Sequence, residues 1–396
     1  MRIRSVRKLG ITIFAAIAVL IALIFIILLL ASGIFSKQRY LESWNKSYFK
    51  KLDDPRLQLA AHGLLAANGH NMQPWKIKLD ENKNVFYLYS DSKRLTKEVD
   101  PFSRQDMITQ GTFLEYARIA GDKLGYKTDI VLFPEGDYDE NNLENSMDKK
   151  PVAKITLTKT QPKDNPLYDF MFLPDTNRSA YDKTKLNSEE IKQLEDVNTY
   201  ENMDINIFQD EKNVAILKNY AIEGAKIESS LHRMNVESAN VFRPNEAEKN
   251  KYRYGYSVEG QGTSGIMKYI LQGLVTIFPS FNDEKASANT YVKSTEMEAE
   301  NTSTYALIIS KDNTRKQQVE SGMIYSRFVL QAHALGYVMQ PLSQVLEEYP
   351  EMKQQYTGIH SEYASEGGTI QMFLRLGKTT KEVPQTMRRD VMDLVK

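Results

Sequence analysis

The chain has 396 residues, which is enough for a membrane-spanning segment together with one large domain or two smaller fused ones. Its 51 basic and 51 acidic residues balance, so nucleic acid is not expected as the main partner, because phosphate backbones are bound by basic surfaces. The absence of cysteine excludes disulfides and thiolate chemistry, and the five histidines show no metal-ligand spacing, so a zinc enzyme is not expected.

The amino-terminal segment predicts a membrane anchor over residues 1–36. No residue is charged between positions 11 and 34, a length sufficient to cross about 30 Å of hydrocarbon as a helix. A cleaved signal peptide is the alternative, given the small residues at 31–33, but the apolar core of a signal is shorter, about 7–15 residues. Four basic residues precede the segment and two follow it closely, which favours a cytoplasmic amino terminus and a domain outside.

Residues 37–54 are polar and basic with scattered aromatics, and are predicted to be a juxtamembrane spacer. The first half of the soluble part, residues 55–163, then alternates helices with short strands. Asp54 and Pro55 open a helix that Gly69 stops. Hydrophobic periodicity predicts the elements that follow, which are strands at 75–79 and 85–89, a helix at 103–124, and strands at 128–133 and 152–158.

The second half, residues 164–396, repeats this alternation around a polar insertion at 236–300. Within the insertion, residues 266–278 are apolar and predict a single helix, which makes the insertion a candidate lid. The remaining predicted elements are a helix from 188, a strand at 205–209, a helix at 214–234, a strand at 305–310, a helix at 314–335 and a strand at 370–376.

Two long helices resemble each other. Gly111 and Gly322 each lead a helix of equal length that ends in Leu-Gly-Tyr, and the two glycines lie 211 residues apart in matched register. Coincidence is one explanation, because Leu-Gly is a common end of a helix. We favour duplication of a half-domain, since similarity at a fixed offset usually marks a repeat. The two copies are then expected to pack against each other in one core, like a homodimer fused into a single chain.

The sharpest local motif is Asn71-Met-Gln-Pro-Trp75, between the end of a helix and a strand. Pro74 fixes the backbone, and Trp75 is expected to anchor the core. Asn71 and Gln73 offer amide donors and acceptors that suit the edge of a planar heterocycle. The alternative is a structural turn with two solvated amides.

Two further segments suit a phosphate. Thr176-Asn177-Arg178-Ser179 places small hydroxyl groups beside an arginine in a loop. A guanidinium can form bidentate hydrogen bonds with phosphate oxygens. Arg388 and Arg389 form a basic pair near the carboxyl terminus. An ordinary ion pair between Arg178 and Asp175 or Asp182 is the alternative for the loop, and exposed basic pairs are common near chain ends.

Several motifs in order resemble the nitroreductase superfamily, and most closely its branch of fused single-chain flavoproteins, the Acg family. The resemblance covers about residues 55–396 and omits the anchor and much of the insertion. It is carried by AANGHNMQPW, by RLTKEVDPFSRQDMITQGTFLEYARIAGDKLGY, by LPDTNRSAY, by TYALIIS leading into LQAHALGYVMQPLSQ, and by FLRLG followed by PQTMRRDVMDLV.

The resemblance implies an α+β, nitroreductase-like fold with two pseudo-repeats, each a small sheet packed by long helices, behind one transmembrane helix. It also implies FMN, bound between the halves, and a monomeric soluble domain that carries one flavin per chain. The residues carried over as its binding site are Asn71, Gln73, Pro74, Trp75, Thr176, Asn177, Arg178, Ser179, Arg388 and Arg389. The sequence departs from the family in having Asn68-Gly69-His70 in place of two serines, and fewer arginines in the phosphate motif.

The implied activity is two-electron transfer from NAD(P)H or a quinol to a small acceptor such as a nitroaromatic, a quinone or an enone. The chemistry would belong to the flavin, so no dedicated catalytic side chain and no metal are expected. Two alternatives stay open: a flavin-holding protein without turnover, and a membrane-tethered interaction protein that has lost the flavin.

Overall fold

Two four-stranded antiparallel sheets with the same strand order form the frame of the fold in the computed structural model, which describes residues 2–364 and 367–396. The first sheet has the order β1-β2-β4-β3 and the second the order β5-β6-β8-β7. The strands are β1 (Trp75–Leu79), β2 (Val85–Ser90), β3 (Tyr126–Leu132), β4 (Ala153–Lys159), β5 (Met203–Phe208), β6 (Thr304–Ser310), β7 (Val338–Pro341) and β8 (Thr369–Gly377).

Each sheet receives one long helix between its second and third strands in chain order, α3 in the first sheet and α11 in the second. The helices are α1 (Arg2–Ser32), α2 (Pro55–Gly63), α3 (Arg104–Leu124), α4 (Leu143–Lys149), α5 (Ser188–Glu195), α6 (Glu211–Ser230), α7 (His232–Asn240), α8 (Glu246–Tyr252), α9 (Gly265–Ile277), α10 (Glu284–Glu300), α11 (Arg315–Ala334) and α12 (Lys353–Tyr363). The fold is therefore a mixed one of helices and two small sheets, as expected from the sequence.

Helices α3 and α11 cross at the two glycines that the sequence comparison paired. A Cβ atom at Gly111 would lie 1.9 Å from the carbonyl oxygen of Val319, and one at Gly322 would lie 1.9 Å from the carbonyl oxygen of Ile108. The two backbones thus touch directly, which only glycine permits. The prediction that the two long helices pack against each other is confirmed. Their origin by duplication stays a proposal.

Most predicted elements occur within a few residues of their expected bounds, and β1 has the predicted bounds. The helix that Asp54 opens ends earlier than predicted, at Gly63 rather than Gly69. After Gly63 the backbone hydrogen bonds join residues three apart instead of four, from Leu65 N to His62 O and from Ala66 N to Gly63 O. The insertion contains α8 and α10 as well as the predicted helix α9. Both extra helices are largely polar, so their sequences lack a clear apolar stripe.

Helix α1 is exposed over most of its apolar length, up to the residues before Ser32, and residues Leu9–Ser32 are long and apolar enough to cross a membrane. A helix of this kind near the amino terminus is compatible with a membrane span or with a signal sequence.

The segment predicted as a spacer, residues 37–54, is folded onto the domain in two short 3-10 turns. Tyr40, Trp44 and Tyr48 are buried, and the indole nitrogen of Trp44 donates to the carbonyl oxygen of Thr386 at 2.7 Å. Besides connecting α1 to the first half, the segment is therefore part of the packed domain.

The carboxyl-terminal segment crosses back from the second half to the first. Val395 forms a parallel bridge with Ile77 of β1, and Lys396 N donates to the carbonyl oxygen of Ile77 at 2.9 Å. This return places residues 386–389 beside the turn that precedes β1, where the candidate site lies.

Candidate functional site

A cavity of about 500 Å³ lies where the two halves meet the insertion. The first half contributes the turn at Asn68–Asn71 and one face of α3, and the second contributes the segment at 174–178 and Tyr325 of α11. Helices α6, α7 and α10, residues of the segment 341–347 and the carboxyl-terminal segment also contribute to the wall. This volume is typical of sites for small molecules and cofactors. Asn71 and Arg178, one from each half, both line it, as the sequence analysis requires.

The turn before β1 is strained. His70, Asn71 and Gln73 have φ values of 50°, 52° and 50°. These lie in the left-handed region, which residues other than glycine and asparagine seldom adopt. Such strain persists only where surrounding structure enforces it, and it is concentrated at functional sites. Here the carbonyl oxygens of Gly255 and Met387 enforce it, by accepting hydrogen bonds from Asn71 Nδ2 at 2.9 and 3.0 Å.

The amide groups of the turn bind protein. Besides those two donated bonds, Asn71 accepts at Oδ1 from Arg388. Gln73 is fully buried, donates to the carbonyl oxygens of Arg253 and Met387, and accepts from Arg389 N at 2.8 Å. Of the four motif residues proposed to bind the cofactor, only Asn71 lines the cavity. Trp75 anchors the core as expected, with its indole nitrogen donating to the carbonyl oxygen of Thr109.

The guanidinium of Arg178 makes neither a hydrogen bond nor an ion pair with the residues that the structure describes. Its half-buried side chain lines the cavity. The alternative pairing with Asp175 or Asp182 is absent from residues 2–364 and 367–396. Asp175 accepts instead from the hydroxyl of Tyr116 at 2.6 Å. Enclosure in the protein, with Arg178 nearby, lowers the pKa of His70 to about 4, so His70 is uncharged at neutral pH.

The neighbours of Arg178 have different positions. Thr176 lines the cavity, whereas Asn177 and Ser179 are buried behind it. Asn177 Oδ1 accepts from the backbone nitrogen and hydroxyl of Ser179, and the carbonyl oxygens of both residues accept from Arg375. Asn177 and Ser179 therefore shape the loop that presents Arg178.

The two carboxyl-terminal arginines are also separated. Arg388 lines the cavity, stacks over Trp44 and donates to Asn71 and to the carbonyl oxygen of Leu65, while its Nε has no partner among the described residues. Burial lowers its pKa to about 10, so it stays charged at neutral pH. Arg389 lies outside the cavity and donates to the carbonyl oxygens of Gln73, Trp75 and Asp393.

Buried carboxyl groups line the cavity that were not predicted, among them Glu228 and Glu347. Burial raises the pKa of Glu228 to about 7, and it raises the pKa of Glu347 well above its usual value, with the charge of Glu228 adding to the effect. The hydroxyl of Tyr291 donates to Glu228 at 2.8 Å, and Glu347 Oε2 has no partner among the described residues. A signal for Glu228 existed, because it shares the buried face of α6 with Leu217, Ala221, Gly224 and Ala225.

We expect Glu228→Gln to flatten the dependence of stability on pH. The folded-state pKa of about 7 lies above the ordinary value of 4.5, so folding is favoured by the bound proton below pH 4.5 and loses that contribution as pH rises through 7. The melting temperature of purified protein measured from pH 4.5 to pH 8 should therefore fall less in the variant. Glu223→Gln, a half-exposed position on the same helix whose carboxylate pairs with Lys226 at the surface, is the control, and parallel curves for Glu228→Gln and wild type would contradict the prediction.

No protein-family model matches the sequence, and no curated protein matches it. One similar solved structure is a nitroreductase-like family protein from Bacillus cereus, with 10% identity and a TM-score of 0.31, covering 59% of this chain and 96% of that one. Another is the FMN-dependent nitroreductase NfnB from Mycobacterium smegmatis in complex with NADPH, with 13% identity and a TM-score of 0.29, covering 52% and 88%. The chain is thus similar to nitroreductase-like proteins, at a level that says nothing about what it binds.

Proposed function

We propose that this chain is a membrane-anchored, FMN-dependent oxidoreductase of nitroreductase type, of the fused Acg-like kind. One observation carries the proposal: the unpartnered guanidinium of Arg178 lies in a cavity of about 500 Å³ that both halves line. An unpaired cation inside a protein cavity is suited to an anionic ligand, and a phosphate group is the anion that arginine binds best.

The residues of the cavity fit such a cofactor in part. Arg178, Thr176 and the free Nε of Arg388 are the groups for the phosphate, and the turn from Asn68 to Asn71 borders the space for the ring. Gln73, Pro74, Trp75, Asn177, Ser179 and Arg389 support this site from behind rather than contact a ligand. Bound FMN would supply the two-electron chemistry.

The protein's own contribution to the reaction is enclosure and proton supply. The cavity wall excludes water from the bound ligands, which strengthens the field of Arg178 within it. Burial raises the pKa of Glu228 to about 7 and raises the pKa of Glu347, which favours the protonated form of both carboxyl groups. We assign them to deliver a proton to a reduced acceptor such as a quinone or a nitroaromatic.

Membrane topology decides the electron donor. A cytoplasmic domain has access to NAD(P)H, whereas a domain outside the cytoplasm needs a membrane quinol or a similar carrier. The distribution of basic residues around α1 favours the second arrangement. The shared sheet order and the crossed helices α3 and α11 support one flavin per chain in a monomeric, fused pseudo-dimer.

The test is the flavin absorbance of the purified full-length protein, followed by anaerobic titration with NADPH, NADH and a quinol. We expect a yellow protein with one FMN per chain that one of these donors bleaches and that a small acceptor restores. A yellow protein that no donor bleaches would indicate flavin storage or regulation without turnover. A colourless protein that added FMN fails to reconstitute would indicate a tethered interaction protein.

A further inference from the structure

Helix α9 of the insertion exposes an apolar face that the described part of the chain leaves uncovered. Ile266, Met267, Phe278 and Phe281, in α9 and the turn after it, are between 50% and 61% exposed. Residues 265–281 contain one charged side chain, Lys268, and its ammonium turns inward to Glu246 and Glu259 at 3.6 and 3.9 Å. A cluster of exposed, large apolar side chains with no charged side chain among them marks a surface that binds another protein or a membrane.

The contact between α9 and α1 indicates that the apolar face of α9 meets the membrane. A Cβ atom at Gly273 of α9 would lie 2.1 Å from the carbonyl oxygen of Leu28 of α1, so the two helices are in direct backbone contact. Leu28 is four residues before the end of α1, which at 1.5 Å per residue is about 6 Å along the helix. The contact therefore lies within the uncharged stretch at 11–34, near the depth of about 5–10 Å that interfacial helices reach.

A buried polar network holds α9 in this place. Glu246 of α8 accepts from the hydroxyl of Tyr40 at 2.7 Å, from Gln272 of α9 at 3.1 Å, and from Lys249 at 2.7 Å. Gln38 Nε2 donates to the hydroxyl of Tyr269 at 3.2 Å. The segment that follows α1 and the polar face of α9 are thus joined through groups that are largely removed from water, which fixes the opposite face of α9 outward.

We propose that α9 and the turn through Phe281 insert their apolar face into the bilayer that α1 spans, at the boundary between headgroups and acyl chains. This inference rests on the membrane span of α1 in the proposed function. Residues on both sides of α9 line the cavity, namely Glu259, Gly260 and Gly262 before it and Asn282, Glu284 and Ser287 after it. The inserted helix therefore ties one wall of the cavity to the membrane surface.

The absence of cysteine allows a direct test with single-cysteine variants of the full-length chain. Met267→Cys and Phe281→Cys report on α9, Ile17→Cys on α1, and Val131→Cys, an exposed apolar position on β3, on the water-facing surface. Each variant is labelled with an environment-sensitive fluorophore and reconstituted into phosphatidylcholine–phosphatidylglycerol vesicles, with or without lipids brominated on their acyl chains.

We expect brominated lipids to quench the labels at 267 and 281 several-fold more than the label at 131, and to an extent comparable with 17. Labels at 267 and 281 that stay as unquenched as 131, while 17 is quenched, would overturn the proposal. Blue-shifted emission at 267 and 281 without lipid quenching would overturn it in favour of a second copy covering this face. An unquenched label at 17 would show that α1 does not span the membrane, and would overturn the proposal with it. The flavin absorbance of the same samples shows separately whether FMN is bound.

Discussion

Replacing Arg178 with alanine is expected to weaken FMN binding by roughly 10- to 100-fold. A hydrogen bond to a charged group contributes about 1.5–3 kcal/mol, and about 1.4 kcal/mol corresponds to a factor of ten in the dissociation constant. The guanidinium has no partner among the described residues that the substitution would leave unsatisfied, so the fold should tolerate the change. The measurement is the dissociation constant of FMN for the apo-protein, by quenching of flavin fluorescence.

Riboflavin has the same ring system as FMN without the phosphate. Its affinity therefore shows whether a substitution affects phosphate binding alone or disturbs the cavity as a whole. The Arg178→Ala variant should bind riboflavin as wild type does while losing affinity for FMN, and Arg178→Lys should retain part of the FMN affinity through its charge. Lys183→Ala removes an exposed charge five residues after Arg178 and should leave both affinities unchanged. Equal FMN affinity in Arg178→Ala and wild type would reject the assignment.

Replacing Gly111 with alanine is expected to lower the free energy of unfolding by at least about 3 kcal/mol, the upper end of the usual cost of overpacking. The added Cβ would lie 1.9 Å from the carbonyl oxygen of Val319 and 2.9 Å from the Cα of Gly322, so two backbones must separate. The intrinsic preference of helices for alanine returns only about 1 kcal/mol. Steric overlap therefore outweighs propensity, and thermal unfolding of the purified protein should begin at a lower temperature.

Gly69→Ala is the matched control, because a Cβ atom at Gly69 would meet nothing within 4 Å. Its unfolding should resemble that of wild type. Gly322→Ala should be about as damaging as Gly111→Ala, since its Cβ would lie 1.9 Å from the carbonyl oxygen of Ile108 on the opposite helix. A Gly111→Ala variant as stable as wild type would show that α3 and α11 do not cross at these residues.

The elements with local signals were predictable from the sequence. Asp54 caps α2 as expected, accepting from Arg56 N, and Gly125 ends α3 in the left-handed conformation. The alternation of apolar residues predicted β1 closely because that strand buries one face, with Trp75 and Ile77 buried. The apolar length of α1 and the paired glycines of α3 and α11 were likewise visible, since hydrophobic length and a repeated pattern do not depend on distant residues.

Which residues line the site was less predictable, because its side chains form hydrogen bonds with residues that are distant in the chain. Gln73 and Arg389 were assigned to a ligand, but they bind each other's backbone across 316 residues. Which arginine faces the cavity thus depends on the return of the carboxyl terminus to β1. Glu347 lies in a loop without periodicity, so its burial could not be inferred before the second sheet and α6 were placed around it.

By itself, the sequence determined the apolar amino-terminal helix, the main strands and the two long helices, because caps, periodicity and hydrophobic length act between residues close in the chain. Only the tertiary structure decided that Arg178 has no hydrogen bond or ion pair among residues 2–364 and 367–396, that Asn71 alone of its motif reaches the cavity, and that α9 lies against α1. Each of these depends on which carbonyl, carboxylate or backbone lies nearby in space, and that is fixed only when segments hundreds of residues apart are packed together.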